Sequence, residues 1–544
     1  MQDQVAARGS RDACGTAAGP IVRNFRQIVL WPLQILCKGG APRGEGYDSF
    51  VTKLAPDVWR LVEDEFGNPD IAFQERHYRE FVAFLPPVQR FLYGDAPGPS
   101  HKLGPNEAPL RVYRRDDVAR MRITLEPGAA PVECEVVHVD LYFFYDVDAV
   151  ILVFEFAADA LPLETVQDII YRFGRAYPAG WSEAGDPLHC PALVEWLDRH
   201  GQVLVASDHG KKDDFLSFVG ANRAPRFARH WDYLLRPLVP YASEESGPLR
   251  YRQIEYYRMP ILSYLTLDSL TALRPADHVR LALAAAPGSG DALPYSERFL
   301  ADFDRRHCYD RFYFNRQSPD EADTRFLSCG HACTVVSAGQ SGFLLDGERG
   351  LLGQFRHQQL LLFLIAHLHK AALLMLSDRL VAATKLLDPG RRTRLKDFRQ
   401  ETFRLQESFL RFTQRYYFTE LSDQAHARDL FRLYRGHLGT EDLYREVRNE
   451  IFDMVQYLDS NMLRRQSGSM HRLTTVTIIG LIGTTATGFL GMNLIAAADA
   501  PMATKAGYFL MAMVIFGVVT FATVTLSQRL TSFFDWLTGE KESG

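Results

Sequence analysis

Two uninterrupted apolar runs close the chain. Leu473 to Asn493 covers twenty-one residues and Ala506 to Ser527 another twenty-two, neither carrying a charged side chain. Each is long enough to cross roughly 30 Å of hydrocarbon as a helix. Only Leu494 to Lys505 separates them, so the pattern predicts a membrane hairpin rather than two buried globular helices. Arg464, Arg465 and Arg472 precede the first run and Arg529 follows the second, whereas the connection holds Lys505 against Asp499. By the positive-inside rule both termini are expected in the cytoplasm.

Upstream the patterning changes twice. Residues 1–46 form a tail with few large apolar side chains before Ile21 to Cys37, an apolar stretch broken by Arg23, Asn24, Arg26 and Pro32. That stretch fits no signal peptide. It reads either as an amphipathic segment on a membrane surface, with Ile28, Leu30, Trp31 and Leu33 inserted, or as a segment docked on the soluble part. From 47 to 350 an α/β domain is expected. Helical spacing occurs at Asp57 to Phe66 and at Glu75 to Leu85, the latter stopped by Pro86-Pro87. Leu110 to Leu125 and Val132 to Phe156 read as strands. Within the latter, Val137, Val139, Leu141 and Phe143 alternate, as do Val150, Leu152, Phe154 and Phe156, with a turn at Asp146 to Asp148. Leu163 to Phe173 then reads as a helix, and Pro287 to Gly290 and Ser318 to Asp323 as loops.

Residues 351–470 read as a helical stalk: Phe355 to Leu387, Arg394 to Phe418, Ser422 to Arg435, and a long helix capped by Thr440 with Glu441 and Asp442 in its first turn. Leu443, Val447, Ile451, Met454, Leu458 and Met462 recur every three or four residues on that helix. No proline separates the stripe from the first apolar run, so one helix from Glu441 to Asn493 would be roughly 80 Å long. A helix of that length needs partners, and copies of the same chain supply them most simply. The hairpin occupies 471–527 and a cytosolic tail 528–544.

Charge and cysteine usage narrow the classes. A net charge of -5 and a pI near 6.4 give no sign of a nucleic-acid partner. Seven scattered cysteines suit a reducing compartment better than a disulfide framework. Cys329, His331 and Cys333 crowd five residues, but a structural zinc site would need a fourth ligand. Asp208-His209-Gly210-Lys211-Lys212 lacks the first glycine and the Ser/Thr of a phosphate-binding loop, so it reads as a solvated turn and ATP is not expected. No Gly-x-Ser-x-Gly or His-Glu-x-x-His pattern supports an enzyme.

The tripeptide Gly491-Met492-Asn493 at the end of the first span, a short outer loop, a second span near the C-terminus and a large N-terminal part resemble the CorA-type divalent-cation transporters, the two-helix GxN superfamily. Met470-His471-Arg472-Leu473-Thr474 is similar to the Met-x-x-Leu-Thr that opens that family's pore segment, and Thr484 stands where the family often has a pore threonine. The resemblance covers Met470 to about Arg529. It implies a homopentamer around a central pore, embedded in the lipid of the inner (plasma) membrane, with a cytosolic α/β domain on a helical stalk. It carries magnesium as transported ion, or zinc, cobalt or nickel on the same fold, with no cofactor. A membrane-tethered sensor that conducts nothing is the alternative from another class.

The stripe Met470, Leu473, Thr477, Leu481, Thr484, Gly488, Gly491 advances by three or four and shares one helix face. It holds no fixed charge, which argues against a proton relay in the membrane. Magnesium keeps several waters when bound, so a ring of Asn493 amides would select the hydrated ion, Thr484 hydroxyls would receive it, and rings of Leu473 and Met470 would form an apolar constriction. On residues alone, Gly480, Thr484 and Gly488 also fit close helix packing. The chain departs from the family at Ile482, where Pro is common, and in Ala497-Ala498-Asp499-Ala500, where Asp499 takes the place of a loop Glu and would attract cations. Gln456 falls where some members carry a sensing Asp, between Asp453 and Asp459.

Overall fold

The structure, a computed structural model, describes residues 19–37, 58–62, 71–94, 110–144, 147–245, 247, 249–288, 290–313, 323–339, 342–387, 392–491 and 500–538. Within these, the side chains of 37, 71–76, 392–395, 461, 464–476, 489–490 and 523–538 are not described. The chain divides into two compact units, Met1–Ile451 and Phe452–Gly544.

The first unit is built on one mixed sheet. Its strands are β1 (Ile21–Cys37), β2 (Arg60–Leu61), β3 (Leu110–Arg115), β4 (Arg120–Thr124), β5 (Val132–Phe144), β6 (Ala149–Pro162), β7 (Leu193–Leu197), β8 (Val203–Ala206), β9 (Val239–Pro240), β10 (Leu249–Gln253), β11 (Ile261–Leu267), β12 (Cys308–Phe312), β13 (Asp323–Ser328) and β14 (Ala332–Ala338). The main path runs β12-β13-β14-β11-β1-β6-β5-β4-β7-β8. Most neighbours are antiparallel, but β11 and β14, and β9 and β10, run parallel.

The middle strands are covered on both faces, which explains their nearly unbroken apolar runs. Val29, Trp31 and Leu33 of β1 and Leu152, Phe154 and Phe156 of β6 join a core with Trp196, Trp231 and Phe173. Helices Leu163–Arg172 and Pro275–Leu283 close that face. The alternate positions Ile28, Leu30, Ile151 and Val153 are equally buried. Because successive side chains of a strand point to opposite faces, these look the other way, where helix Leu360–Thr384 packs on β1 and β6. A π-turn, Phe355–Gln359, leads into that helix.

Ile21–Cys37 therefore corrects the membrane-surface reading. The four side chains expected to insert into lipid, Ile28, Leu30, Trp31 and Leu33, are at most 2% exposed, inside the sheet. Pro32 is tolerated for a reason that only the register reveals. Leu30 N donates to Pro260 O, on the β11 side, and Ile35 N donates to Asp148 O, on the β6 side. Amides of even-numbered residues thus face β11 and β10. On that side β11 ends at the Val29–Ile261 pair and β10 begins at Leu33–Gln253. The amide that Pro32 lacks falls in the gap, so no ladder bond is lost.

The β5–β6 hairpin, the Leu163–Arg172 helix and the strand region 110–125 form where the patterning put them. Within Asp57 to Phe66, the described residues hold the short strand β2 instead of a helix, paired to β3 through Arg60–Arg114 and Leu61–Tyr113. Glu75 to Leu85 lies largely in helix Ile71–Ala83, and Pro86-Pro87 opens a second helix, Pro86–Tyr93, at positions where a missing amide costs nothing. Loop Pro287 to Gly290 is irregular where described, and 318–322 lies outside the described residues.

The region 351–470 is helical, as its pattern predicts. Helices Leu351–Gln354, Leu360–Thr384 and Ala425–Leu438 belong to the sheet-containing unit, the last two packed on each other. Only Thr440–Gly491 continues beyond it. Thr440 does not cap that helix through its side chain, since Oγ1 is buried without a partner.

Candidate functional site

The long helix Thr440–Gly491 starts after Gly439, whose φ of +64° ends the preceding helix in the left-handed region. Arg445 pairs with Glu441 at 3.4 Å and Asp442 at 3.2 Å, both at the surface. In the first unit Val447 and Ile451 are buried, and Tyr444 stacks on Tyr417 with ring centres 4.5 Å apart. In the second unit Met454 and Leu458 are buried while Met462 is half exposed, so the apolar stripe fades before the first run begins. Asp453, Gln456 and Asp459 are exposed.

The backbone of the expected pore stripe is helical from Met470 to Gly491. The side chains of Met470 and Leu473 are not described, and Met492, Asn493 and Asp499 lie outside the described residues. Thr477, Leu481, Thr484, Gly488 and Gly491 are all exposed. At about 100° per residue they gather on one face. Ala486, fully buried, lies on the opposite face. Sequence reading had not singled out Ala486; a small residue facing away from the stripe was its only signal.

Hydroxyls on this helix are oriented by its own backbone. Thr484 Oγ1 donates to Gly480 O at 2.8 Å, Thr485 Oγ1 to Leu481 O at 2.7 Å and Thr487 Oγ1 to Gly483 O at 2.9 Å. A donated proton leaves the oxygen lone pairs outward as acceptors. On the Thr484 face they suit water or a hydrated cation.

The C-terminal helix, Met502–Thr538, is long and apolar enough over Met502–Ala522 to cross a membrane, and only 6% of that window is buried. Leu510, Val514, Val518 and Phe521 are each more than 60% exposed. Ala512 is the buried exception among its described side chains.

Other candidate chemistry sits in the first unit. Cys333 contacts Tyr434 Oη at 3.2 Å and Cys329 lies 3.5 Å from His331 Nδ1. Burial pushes the Cys329 thiol up to about 11 and, helped by Arg258, holds His331 down to about 3. Among the described residues no group of three or more His, Cys, Asp or Glu is arranged to hold a metal. Asp208 accepts from Arg229 N at 2.9 Å and pairs with Arg226 at 2.7 Å, so the Asp208 to Lys212 segment is a structural turn before helix Lys212–Asn222. Glu155, fully buried on β6, meets Arg356 of the π-turn at 2.9 Å and His138 Nε2 at 3.0 Å. Such a charge is tolerated in the interior only because it is paired.

No protein-family model matches the chain, and no curated protein matches it. Among solved structures it is similar to the full-length CmaX protein, with 17% identity over 49% of this chain and 88% of that one, at a TM-score of 0.19. It is also similar to the CorA magnesium transporter from Methanocaldococcus jannaschii, with 14% identity over 52% of this chain and 95% of that one, at a TM-score of 0.19.

Proposed function

We propose that several copies of this chain form a membrane channel for divalent cations, magnesium first, driven by the membrane potential. The observation that carries the reading is an apolar C-terminal helix left uncovered by its own chain, joined through Gly491-Met492-Asn493 to a helix whose threonine face is exposed. Lipid covers the apolar surface. Copies of Thr440–Gly491 meet around the stripe from Met470 to Gly491, five of them by the CorA resemblance. Asn493 amides select the hydrated ion at the outer mouth, where Asp499 concentrates cations, and Thr484 oxygens receive it next. Leu473 and Met470 close the pore when dry. A potential of 100 mV favours inward movement of a divalent ion by about 4.6 kcal/mol, twice the single-charge value.

The test is magnesium flux into indicator-loaded liposomes under an inside-negative potential. Wild type is expected to conduct, hexammine cobalt to block, and Asn493→Ala to lower or abolish the flux. Zinc entry without magnesium entry would move the substrate to the zinc, cobalt and nickel class. Silence for every cation would leave a membrane-tethered sensor and sink the channel.

A further inference from the structure

Two arginines stand side by side in the first unit without an acid between them. Arg175 follows helix Leu163–Arg172 and Arg258 precedes β11, and the two residues are partners in an isolated antiparallel bridge. Met259 N donates to Gly174 O at 2.7 Å and Ala176 N to Tyr257 O at 2.8 Å. These bonds flank the pair, so Arg175 and Arg258 occupy the non-hydrogen-bonded register, where side chains lie closest on one face. Gly174, immediately before Arg175, has a φ of +82°, in the left-handed region that favours glycine.

Both guanidiniums lie over the same ring, that of Tyr171, Arg175 at 5.1 Å and Arg258 at 6.0 Å from its centre. Arg175 is 4% exposed and bonds only neutral groups, Tyr257 Oη at 2.8 Å and Tyr171 O at 3.0 Å. Arg258 donates from Nη2 to Ala284 O, and its Nε is buried without a partner. Among the described residues neither arginine has a carboxylate partner. The nearest acid in sequence, Glu255, is engaged by Lys370 at 3.3 Å and His367 at 3.7 Å.

Like charges directly opposite on paired strands are destabilising. Burial, then Arg175, pushes Arg258 down to about 10. His189, whose ring bonds Tyr171 Oη, is likewise held down by burial and then by Arg175, Arg172 and Arg258. A bound anion would remove this conflict and fill the open donors, and paired guanidinium forks match phosphate oxygens in geometry as well as charge.

We propose that Arg175 and Arg258 form an anion site in the soluble unit for a phosphate dianion, free or as the terminal group of a phosphomonoester. The Tyr171 ring holds the two forks in place, and the unpartnered Arg258 Nε is a donor for the ligand. The site stands independently of the transport reading.

The test is thermal unfolding of the full chain in detergent, titrated with inorganic phosphate against chloride at constant ionic strength. Wild type is expected to gain several degrees in Tm with phosphate and none with chloride, because a ligand that binds only the folded state stabilises it. Arg258→Gln is expected to lose the phosphate response. Arg258→Lys, which keeps the charge but not the fork, should shift the phosphate midpoint at least tenfold higher and stands in if the glutamine variant fails to fold. Glycerol 3-phosphate separates the two sources: an equal or larger response assigns the site to a monoester, and no response assigns it to the free ion. A wild type that responds no more to phosphate than to chloride, or an Arg258→Gln variant with the wild-type response, overturns the proposal.

Discussion

The chain contains two helical stretches, each long enough to cross a membrane and nearly equal in apolar character, and they meet opposite fates. Leu351–Thr384 is 83% buried over its most apolar window, whereas Met502–Ala522 is 6% buried. By length and composition both qualify as membrane spans. The first is the core helix of a sheet domain: Leu362, Phe363, Leu364, Ala366 and Leu368 are at most 1% exposed and lie against β1, β6 and neighbouring helices. The second keeps Leu510, Val514 and Val518 uncovered. Apolar content measures the drive to leave water. It does not say whether protein or lipid will supply the alternative.

The largest contrast should come from placing a charge in each helix. Ala366→Asp buries a carboxylate with no partner and is expected to cost more than about 4 kcal/mol, enough to prevent folding, read as loss of soluble-unit unfolding cooperativity. Val514→Asp should leave the Tm of the sheet domain unchanged but cost about 2.5–3.5 kcal/mol of membrane insertion if it sits near the bilayer centre. That loss would be read as protein extracted by alkaline carbonate. An Ala366→Asp protein that folds, or a Val514→Asp protein that stays fully integrated, breaks the contrast.

Truncation sharpens it at lower cost. Phe363→Ala is expected to destabilise by about 3–5 kcal/mol through the cavity it leaves. Ile515→Ala, at a site 53% exposed, should change stability in detergent by less than about 1 kcal/mol. Denaturant midpoints of the two variants decide it.

The smallest effect is a dependence on pH that the core helix shares with the rest of the sheet-containing unit and Met502–Ala522 lacks. His369 is fully buried, bonds Tyr416 O at 2.6 Å and is held neutral by burial, down to about 3. The unfolded chain takes up a proton near pH 6.5 while the folded chain does not. Stability is therefore full above that value and falls as pH drops from about 6.5 towards 3. His209 and His278, both held down to about 4 by burial, act in the same direction. Met502–Ala522 contains no histidine. His369→Gln should flatten part of the Tm profile between pH 6.5 and 4, and an unchanged profile would remove His369 from the account.

How far the sequence could be read depended on how local the cause was. The β5–β6 hairpin was legible because its alternation and its turn lie within one segment. β1 was not, since Pro32 and Arg26 disguise a central strand whose partners are far along the chain: Arg26 pairs with Tyr264, and Pro32 falls where β11 hands over to β10. The expected Asp57 to Phe66 helix failed similarly, because pairing with β3 outweighed local spacing at Arg60–Leu61. Of the candidate site, the helical run and its threonine face were readable from spacing, while the Arg175–Arg258 pair, 83 positions apart in number, carried no local signal at all.

Sequence alone determined where two spans of apolar residues lie, which face of the first carries Thr477, Thr484 and Gly488, and where Gly491-Met492-Asn493 ends it, because helical periodicity and hydropathy are properties of neighbouring residues. Tertiary structure alone decided that Ile21–Cys37 is the spine of a sheet, that Leu360–Thr384 is core rather than membrane, and that two unneutralised arginines face each other. Each of those outcomes depends on which distant segment arrives to cover, pair with or oppose the residue, and burial is a property of that arrangement.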